Sequence, residues 1–470
     1  MKKTKIVCTM GPAVDDINIL SGLLKAGMNV ARMNFSHGSH DEHKKRIELV
    51  RQASKETGIP VAVLLDTKGP EIRTRNLKDG KEVTLVAGQE FVITTDDIVG
   101  DNTKVSVTYE NFVQDLKLGD IILIDDGLIE MVVEKIKGNN VISRVLNNGI
   151  LGERKGVNLP NVAVNLPALA ENDIEDLEFG CRMGVDFVAA SFIRKMSDVK
   201  EVKDILEKNG GTNIKIISKI ENQEGLDNFE EILEISDGIM VARGDLGVEI
   251  PIEKIPLAQK EMIALCNQVG KPVITATQML ESMIRNPRPT RAEITDIANA
   301  IFDGTDAVML SGETAKGAFP VEAVKVMQNI AREVDPLIEP IHANFEEQVN
   351  IAEAIARGTV EVALACSAKV IVLGTHTGRA AAAVRQYFPQ IPVLAIADNE
   401  LVARQLLLLR GVYSEVANPY LSDHEDFADF ALQKAQEIFK LSKGDRVVLS
   451  YGRKIYTSGT TNSIRVLTIE

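Results

Sequence analysis

Lys219 and Glu221 stand two residues apart in the segment IKIISKIENQEG, at the end of the otherwise apolar run from Ile214 to Ile220. Residues i and i+2 of an extended chain point to the same side, so this run aims an ammonium and a carboxylate together. Buried charges are seldom left without a partner or a function. The pair therefore marks a candidate site, and the question is what it acts on.

Polar side chains also follow five further apolar runs, each at the point where the run ends. Judged one at a time, such residues are explained equally well as helix caps, turn formers or members of simple ion pairs. Gathered in one place, they would repel one another and lose solvation unless something were bound between them. The sets are Arg32, Asn34, Ser36 and His37; Asp66, Thr67, Lys68 and Arg73; Lys219 and Glu221; Arg243 and Asp245; Thr275 and Thr277; and Ser311 and Glu313.

This combination of residues suits phosphoryl transfer. The transition state of that reaction spreads negative charge over the equatorial oxygens, so catalysis depends on positioning and on cations. A divalent cation between Glu221 and Asp245, together with a phosphorylated substrate, would balance the charges. The chain contains neither a GxxxxGK[ST] loop nor a protein-kinase Gly-rich loop, so a nucleotide would be held in another way. Lys155 in GERKGVNLP lies on a Gly-flanked turn that a lid could carry onto a nucleotide phosphate.

Eight short apolar runs occupy the first two thirds of the chain, most of them followed by a helix-like segment: KIVCT, NVARMNF, VAVLLD, VDFVAASF, IKIISKI, GIMVAR, PVITAT and AVMLS. Strands that alternate with helices predict parallel pairing, and eight of them predict an α/β fold of the (β/α)8 TIM-barrel type. Catalytic groups in such barrels lie at the carboxyl ends of the strands. The polar sets are therefore expected to share one barrel mouth.

Two regions depart from the barrel pattern. Between Pro70 and Leu166, short strands such as KVSVTYE and NNVISRVLN alternate with Gly- and Asp-rich turns, which predicts an inserted lid domain, a small β-barrel. After the acidic stretch HANFEEQ, the runs VIVLG, PVLAIA, RVVLS and SIRVLTI predict a separate open-sheet α/β domain. We expect a barrel domain of residues 1–69 and 167–343, a lid of residues 70–166 and a C-terminal domain of residues 344–470.

Composition narrows the functional classes. The 470 residues are 45% hydrophobic, which is enough to bury several cores. A net charge of −14 disfavours nucleic acid and anionic membranes as partners, and no apolar stretch is long enough to span a bilayer. The basic and apolar start MKKTKIVCTM is too short for a signal peptide, and the four scattered cysteines fit a reducing compartment. We expect a cytoplasmic protein without a zinc site.

The chain contains a series of specific segments in a fixed order: MNFSHG, LDTKGPEIRT, GVNLPNVAVNLPAL, ISKIENQEG, GIMVARGDLGVEIP, TATQMLESM, NPRPTRAE and DAVMLSGETAKGAFP. They resemble the signature segments of the pyruvate kinase family, and the resemblance covers essentially the whole chain. It implies transfer of a phosphoryl group from phosphoenolpyruvate to ADP, giving pyruvate and ATP, the last step of glycolysis. It also implies Mg²⁺ or Mn²⁺ and K⁺ as cofactors and a homotetrameric assembly.

The resemblance assigns roles to the charged residues of the barrel mouth. Lys219 matches the lysine that stabilises the transferring phosphoryl group. Glu221 and Asp245 match the ligands of the essential Mg²⁺. Arg32 and Arg73 match arginines that grip phosphate, the first on the substrate and the second beside the nucleotide.

Other matching residues concern the carboxylate and the enolate of the substrate. Backbone amides around Ala242, Arg243 and Gly244 would receive the substrate carboxylate at the start of the element after the sixth run. The hydroxyl of Thr277, with that of Ser311 as a second candidate, matches the group near the enolate carbon, where a proton must arrive to complete pyruvate. A Thr hydroxyl is a weak acid, so a chain of water molecules is the expected donor. The sequence does not decide which residue supplies the proton to these water molecules.

The resemblance further implies sites for nucleotide and for a monovalent cation. His37 and Lys155 match nucleotide contacts, together with Arg73 and Asn34. Glu71 in LDTKGPEIRT is associated with potassium dependence, because relatives that carry Lys there supply the positive charge themselves. An oxygen-rich set matches the K⁺ site: Asn34, Ser36, Asp66 and Thr67.

The last domain contains THTGRAA, which resembles the family's loop for an effector phosphate. In such loops, backbone amides and hydroxyls hold a phosphate after a strand, which implies activation by a sugar phosphate such as fructose 1,6-bisphosphate. Ala380 stands where Ser or Thr is common, so one phosphate hydrogen bond is missing and the identity of the effector stays open. The candidate effector residues are Thr375, Thr377, Gly378, Arg379, Ser458, Gly459 and Thr460.

Two other functions are kept open at this stage. A barrel lyase or aldolase acting on an enolpyruvyl unit would use the same carboxylate-bound Mg²⁺, but it would need neither Lys155 nor a nucleotide. A sugar-phosphate sensor with a degenerate barrel would be expected to have lost part of the catalytic set. Lys219, Glu221, Asp245 and Thr277 are all present, which argues against the sensor.

Overall fold

The computed structural model describes residues 2–341, 349–417, 424–452 and 459–470. Its central unit is a closed barrel of eight parallel strands, which confirms the predicted fold class. The third barrel strand pairs directly with the fourth, although the inserted lid separates them in sequence. The strands, numbered first to eighth in chain order, are Lys5–Thr9, Val30–Asn34, Ala62–Asp66, Phe187–Ala190, Lys215–Ile220, Gly238–Ala242, Val273–Ala276 and Ala307–Leu310.

Some of the helices around the barrel begin with side-chain caps that the sequence supplies. Asp16 accepts hydrogen bonds from the backbone amides of Asn18 and Ile19, and Ser39 forms a capping box with Glu42 at the start of the next helix. The largest apolar core lies between these helices and the strands. The helices are Ile17–Ala26, His40–Thr57, Glu171–Met183, Met196–Lys208, Gln223–Asp227, Phe229–Ile235, Arg243–Glu249, Ile255–Gln268, Arg291–Phe302, Gly312–Ala315 and Pro320–Val334.

A second core fills the inside of the barrel and fixes the direction of the polar residues. Ile217 belongs to this interior core, whereas Ile216 and Ile220 of the same strand pack against the outer helices. Side chains two residues apart on a strand share a face. Lys219 and Glu221 therefore continue the inward direction of Ile217 toward the mouth of the barrel.

The second and third barrel strands show the same inward register. Val30 and Leu64 belong to the interior core. The side chains at every second position after them, Arg32 and Asn34 on one strand and Asp66 on the other, therefore also point inward. The pairing of the two strands places Asn34 beside Asp66. The polar strand ends therefore meet at one mouth because each continues an apolar, inward-facing register.

Most of the chain between the third and fourth barrel strands forms an all-β module that leaves the barrel after its third strand and returns before its fourth. Where the sequence predicts a small β-barrel, the hydrogen-bonded ladders form a six-stranded sheet and a separate two-stranded sheet around one apolar core. The strands are Val83–Leu85, Glu90–Thr94, Lys104–Ser106, Ile121–Ile124, Ile129–Lys137, Asn140–Val145, Gly149–Leu151 and Val157–Asn158, with one short helix, Phe112–Asp115.

The C-terminal domain is an open five-stranded sheet in which the last strand is antiparallel. The sequence predicts four of the strands and misses Val412–Val416, because that strand lies at the edge of the sheet and its side chains are only partly buried beyond Val412. The stretch HANFEEQ lies outside the described residues. The strands are Val370–Thr375, Val393–Ala397, Val412–Val416, Arg446–Gly452 and Thr461–Thr468, and the helices are Ile351–Ala365, Arg379–Arg385, Glu400–Gln405 and His424–Phe439.

The C-terminal domain closes the end of the barrel opposite the polar mouth. Leu407 and Leu408 belong to the same apolar core as the barrel interior. Arg404 reaches across to Asp186, just before the fourth barrel strand, with Nε 2.8 Å from Oδ1. No helix of the described residues is long and apolar enough to span a membrane, and the four cysteines are free.

Buried side chains hold the two linkers between lid and barrel. The carboxylate of Asp173 accepts hydrogen bonds from the backbone amides of Gly69 and Ala170, both at 2.9 Å. Arg194 donates to the carbonyl oxygen of Val164 at 3.0 Å. The lid is therefore anchored to the barrel on both sides by polar contacts.

Replacing Asp173 with Ala should lower the free energy of unfolding by about 2 kcal/mol or more, because two amides lose a buried acceptor. Urea denaturation monitored by circular dichroism measures the effect. Glu175→Ala, which removes an exposed carboxylate from the same helix, is the matched control and should change the midpoint little. Equal midpoints for the two variants would contradict the anchoring role of Asp173.

Candidate active site

Lys219 is the centre of the polar network in the barrel mouth. Its Nζ lies 3.1 Å from Asp66 Oδ1 and 2.9 Å from Glu221 Oε1, and it donates to Ser191 Oγ at 2.7 Å. The side chain is buried. Burial disfavours the charged amine, but the carboxylates of Asp66 and Glu221 outweigh this effect and raise the pKa of Lys219. The ammonium is therefore firmly charged in the site.

Asp66 connects Lys219 to Arg32. Arg32 Nε lies 2.5 Å from Asp66 Oδ2, and Arg32 Nη1 donates to Thr9 Oγ1 at 2.9 Å. Burial of Asp66 opposes ionisation, yet the neighbouring Arg32 and Lys219 lower the pKa of its carboxyl group. The result is a row of alternating charges across the second, third and fifth barrel strands.

Glu221 is held in place by the loop that follows the fourth barrel strand. Its Oε2 accepts a hydrogen bond of 2.5 Å from the backbone amide of Phe192. Burial raises the pKa of Glu221 to about 7; the charge of Lys219 opposes this shift and that of Asp245 adds to it. A cation bound between Glu221 and Asp245 would relieve the repulsion that Asp245 exerts on the Glu221 carboxylate.

The donor set fits a divalent cation such as Mg²⁺. The described residues contain no group of three or more His, Cys, Asp or Glu side chains that could hold a metal. Glu221 and Asp245 would therefore supply two oxygen ligands and leave the other positions to substrate oxygens and water. Mg²⁺ in phosphoryl-transfer sites is commonly bound in this way.

Thr277 has a backbone conformation that β-branched residues rarely adopt, with φ of +67°. Its hydroxyl donates to the carbonyl oxygen of Ala276 at 2.7 Å and accepts from the backbone amide of Gly244 at 2.8 Å. Arg243 Nη2 donates to the Thr277 carbonyl at 2.7 Å. Strain of this kind concentrates at functional sites, where the surrounding contacts maintain it.

The helix Arg243–Glu249, which follows the sixth barrel strand, is held in place by a side-chain ion pair. Arg243 pairs with Asp296, with Nη1 2.7 Å from Oδ1, so its guanidinium is committed to the scaffold. The predicted contact of Arg243 with the substrate carboxylate therefore concerns its backbone. Asp245 lies in the first turn of the same helix and lines the cavity described below.

A cavity of about 680 Å³ lies between the barrel mouth and the lid. Arg73 and Lys155 of the lid line it together with Asp245 of the barrel. Lys155 Nζ pairs with Asp125 Oδ2 at 2.9 Å, and Arg73 Nη2 lies 2.6 Å from the carboxylate of its neighbour in sequence, Glu71. Both predicted nucleotide-contacting cations are thus at the cavity, each paired with an acid.

The predicted K⁺ ligands come from the ends of the second and third barrel strands. Asn34 Oδ1 accepts from the backbone amide of Ser36 at 3.2 Å. Thr67 Oγ1 accepts from the amide of Ser191 at 3.1 Å. Asp66 is shared with Lys219 and Arg32, as described above. His37 is exposed on the loop that follows the second strand.

The sequence interpretation places Glu313, the acid after the eighth barrel strand, at the barrel mouth. The structure differs. Glu313 is fully buried, and its carboxylate accepts hydrogen bonds from the backbone amides of Leu280 at 2.9 Å and Ser311 at 2.7 Å. Glu313 therefore holds two loops together and does not add a free carboxylate to the mouth. Ser311 stands at the rim beside it.

Sequence reasoning missed the contribution of the fourth barrel strand. Ser191 bonds to Lys219, and the amide of Phe192, at φ of +54°, holds Glu221. Ser191, a polar residue directly after the run VDFVAA, is the same signal that marks the other strand ends. Asp125 and Asp126 of the lid were also missed, since acids in a Gly-containing turn are usual.

A second cavity, of about 330 Å³, lies in the C-terminal domain. Five of the predicted effector residues line it: Thr375, Thr377, Arg379, Gly459 and Thr460. Gly378 has φ of +81° and its amide donates to Thr375 Oγ1 at 2.9 Å, which shapes the loop. Ser458 lies outside the described residues.

Comparison with known proteins identifies relatives along the whole chain. The family described as pyruvate kinase, barrel domain, matches residues 1–324, and that described as pyruvate kinase, alpha/beta domain, matches residues 353–467. Pyruvate kinase of Clostridium acetobutylicum is 50% identical over 475 residues, covering 100% of both chains. That of Clostridium perfringens is 47% identical over 473 residues, covering 99% of each.

Pyruvate kinase of Geobacillus stearothermophilus is 49% identical over 473 residues, covering 99% of this chain and 80% of the relative. Identity at this level over full-length relatives agrees with the closed barrel, the inserted sheets and the open-sheet domain. The chain therefore belongs to the pyruvate kinase family, the phosphotransferases that convert phosphoenolpyruvate and ADP to pyruvate and ATP.

Proposed function

We propose that Lys219 stabilises the phosphoryl group while it moves from phosphoenolpyruvate to ADP. The observation that carries the proposal is the position of its ammonium, buried at the mouth and bonded to Asp66, Glu221 and Ser191. Because the Lys219 ammonium is already in position, the protein does not have to reorganise when negative charge develops in the transition state. Membership in a kinase family favours this function over a lyase, an aldolase or a sensor.

Glu221 and Asp245 would hold the divalent cation, Mg²⁺ or Mn²⁺, which when bound supplies a Lewis acid for the oxygens of the substrate. Phe192 supports this role, because its amide fixes one oxygen of Glu221 and leaves the other beside Lys219. Arg32 would bind the substrate phosphate from the other side of Asp66. Substrate, metal and Lys219 would then replace the internal ion pairs of the free site.

The amides of Ala242, Arg243 and Gly244 would bind the substrate carboxylate. Thr277 lies next to them, since the amide of Gly244 already donates to its hydroxyl. A substrate held by these amides would place its enolate carbon near the Thr277 hydroxyl and near Ser311. Water ordered by these two hydroxyls would deliver the proton that completes pyruvate.

The lid would bring Arg73 and Lys155 onto the nucleotide phosphates, with His37 and Asn34 on the barrel side. Lys155 is paired with Asp125 and Arg73 with Glu71, so a nucleotide phosphate would compete with these acids. K⁺ would occupy the oxygen-rich set at the ends of the second and third barrel strands: Asn34, Ser36, Asp66 and Thr67.

The cavity of the C-terminal domain would bind a sugar phosphate, with fructose 1,6-bisphosphate as the first candidate. Thr375, Thr377 and Arg379 supply hydroxyls and a cation at its wall. The helix that begins at Arg379 ends at Arg385, which pairs with Asp306 just before the eighth barrel strand. This helix offers a physical connection from the effector cavity to the catalytic barrel.

The remaining parts of the proposal rest on the sequence patterns and, for the assembly, on the family. They are assembly as a homotetramer, a cytoplasmic location and the domain limits 1–69 with 167–343, 70–166 and 344–470. ADP, ATP, phosphoenolpyruvate and pyruvate are the proposed small-molecule partners, with no nucleic acid and no membrane.

Replacing Lys219 with Met should reduce kcat by a factor on the order of 10² to 10³, because the charge acts mainly on the transition state. Turnover of phosphoenolpyruvate with ADP, Mg²⁺ and K⁺, coupled to lactate dehydrogenase, measures it. Lys215→Met is the matched control, since Lys215 starts the same strand and pairs with Asp237 away from the mouth. A Lys219→Met enzyme with near-normal kcat would refute the assigned role.

Glu71 should determine the need for K⁺. Glu71→Lys would place an ammonium beside the proposed K⁺ site, and we expect a slower enzyme whose rate no longer responds to KCl, because a tethered amine lacks the coordination geometry of the ion. Glu71→Gln removes the acid without adding a cation and should keep the response. Initial rates in tetramethylammonium buffer with and without KCl test this. Wild-type activity that is indifferent to KCl would overturn the site.

Arg379→Ala should weaken or abolish activation by a sugar bisphosphate and leave the maximal rate at saturating phosphoenolpyruvate unchanged. The reason is that Arg379 lines the cavity but lies outside the barrel. Activation curves at low phosphoenolpyruvate measure the effect, with Lys443→Ala, an exposed cation of the same domain, as control. If the wild-type and Arg379→Ala curves coincide, the effector binds elsewhere.

A further inference from the structure

A cluster of buried charges lies where the C-terminal domain meets the amino end of the barrel. The barrel side contributes Asp306 and Asp335, and the C-terminal domain contributes Arg385 and Arg410; each is at most 4% exposed. Arg385 pairs with Asp306, and Arg410 Nη2 donates to Asp335 Oδ1 at 3.0 Å. The two ion pairs cross the junction between the domains.

Most of the hydrogen-bonding capacity of the two carboxylates is used by other groups. Of the seven hydrogen bonds that the carboxylates of Asp306 and Asp335 accept from described residues, two come from a guanidinium. Backbone amides and the hydroxyl of Thr4 donate the other five. The guanidinium groups therefore have more donors than the carboxylates can satisfy.

At this junction, three buried guanidinium nitrogens lack a hydrogen-bond partner among the described residues. They are Nε and Nη1 of Arg385 and Nε of Arg410. Both guanidinium carbons lie near the ring of Phe388, 5.2 Å and 5.1 Å from its centroid. A ring face attracts a cation but is no substitute for a lone pair. Buried donors are almost always paired with protein, water or an ion, so these three call for an acceptor.

The junction also carries an excess of positive charge. Besides the two arginines, Lys3 and Lys5 are buried there. The ammonium of Lys3 donates to the carbonyl oxygen of Pro389 at 3.0 Å, and that of Lys5 donates to the carbonyl oxygen of Val412. Burial, together with the charge of Arg410, lowers the pKa of Lys3 to about 8. In the described part of the chain, the junction thus buries four basic side chains but only the two carboxylates of Asp306 and Asp335.

A small cavity of about 10 Å³ adjoins the unpaired donors. Its size leaves room for one water molecule or one monatomic ion and excludes a polyatomic anion. It is lined by Lys3, Arg385, Phe388, Pro389, Arg410 and Gly411.

We propose that this cavity binds one monatomic anion of the size of chloride, held by the unpaired N–H groups of Arg385 and Arg410. A water oxygen accepts at most two hydrogen bonds and would leave the excess charge, whereas phosphate or a carboxylate is too large for the space. The bound anion would stabilise the junction between the barrel and the C-terminal domain, because a ligand that binds only the folded state raises its stability. The inference does not rest on the catalytic proposal, since the cavity lies at the opposite end of the barrel.

Thermal unfolding of the full chain tests the proposal. The melting temperature is measured in potassium chloride, potassium bromide and potassium gluconate at equal K⁺ concentration, which keeps the proposed cation site constant. We expect a rise of a few degrees in the two halides that saturates with concentration, and no such rise in gluconate, whose anion cannot enter the cavity. Equal melting temperatures in the three salts would refute the site.

Two variants and one scattering measurement assign the effect to the cavity. Arg410→Lys keeps a charge near Asp335 but removes the Nε donor, and it should abolish the halide-dependent rise. Arg404→Lys is the control, because Arg404 lies at the same junction with its Nε bonded to Asp186, and it should keep the rise. Crystals of the wild-type protein grown in bromide should show an anomalous peak between Arg385 and Arg410. A water molecule alone in the cavity, or an undiminished rise in Arg410→Lys, would overturn the proposal.

Discussion

The ion pairs of Lys219 are the interaction on which the rest of the active site depends. A buried ammonium is unfavourable on its own, and it is stable here because Asp66 and Glu221 lie 3.1 Å and 2.9 Å from it. Each of these carboxylates has a second anchor, Arg32 for Asp66 and the amide of Phe192 for Glu221. Removing any one member would leave an uncompensated charge, so the network holds the strand ends in a single geometry.

The apolar core of the barrel sets up this network. The interior is filled by alternating side chains such as Leu64 and Ile217, and the polar residues are the next inward-facing positions along the same strands. Leu407 and Leu408 of the C-terminal domain close the opposite end. The C-terminal domain therefore closes one end of the barrel, the other end is open and carries the polar network, and the lid anchored by Asp173 lies over the open end.

The barrel fold and part of the active site could be predicted from the sequence, because inward-facing side chains recur at every second position of a strand. Strand alternation identified the barrel, and charges two residues apart identified Lys219 and Glu221 as a pair. The same pattern could not show that Glu313 turns away to bind backbone amides, or that Ser191 and Phe192 support the site, because loop geometry decides these contacts. The edge strand Val412–Val416 and the buried charges at the domain junction depend on tertiary packing and carry no local signal.

The central claim is that Lys219 acts on the transition state more than on the bound substrate. Calorimetric titration of phosphoenolpyruvate into the wild-type enzyme and into the Lys219→Met variant, with Mg²⁺ and K⁺ present, tests it most directly beside the measured kcat values. We predict that the dissociation constant changes by far less than kcat, because an interaction formed in the transition state contributes little to ground-state affinity. A dissociation constant that rises strongly while kcat stays near the wild-type value would contradict the account, since Lys219 would then stabilise the bound substrate and the transition state equally.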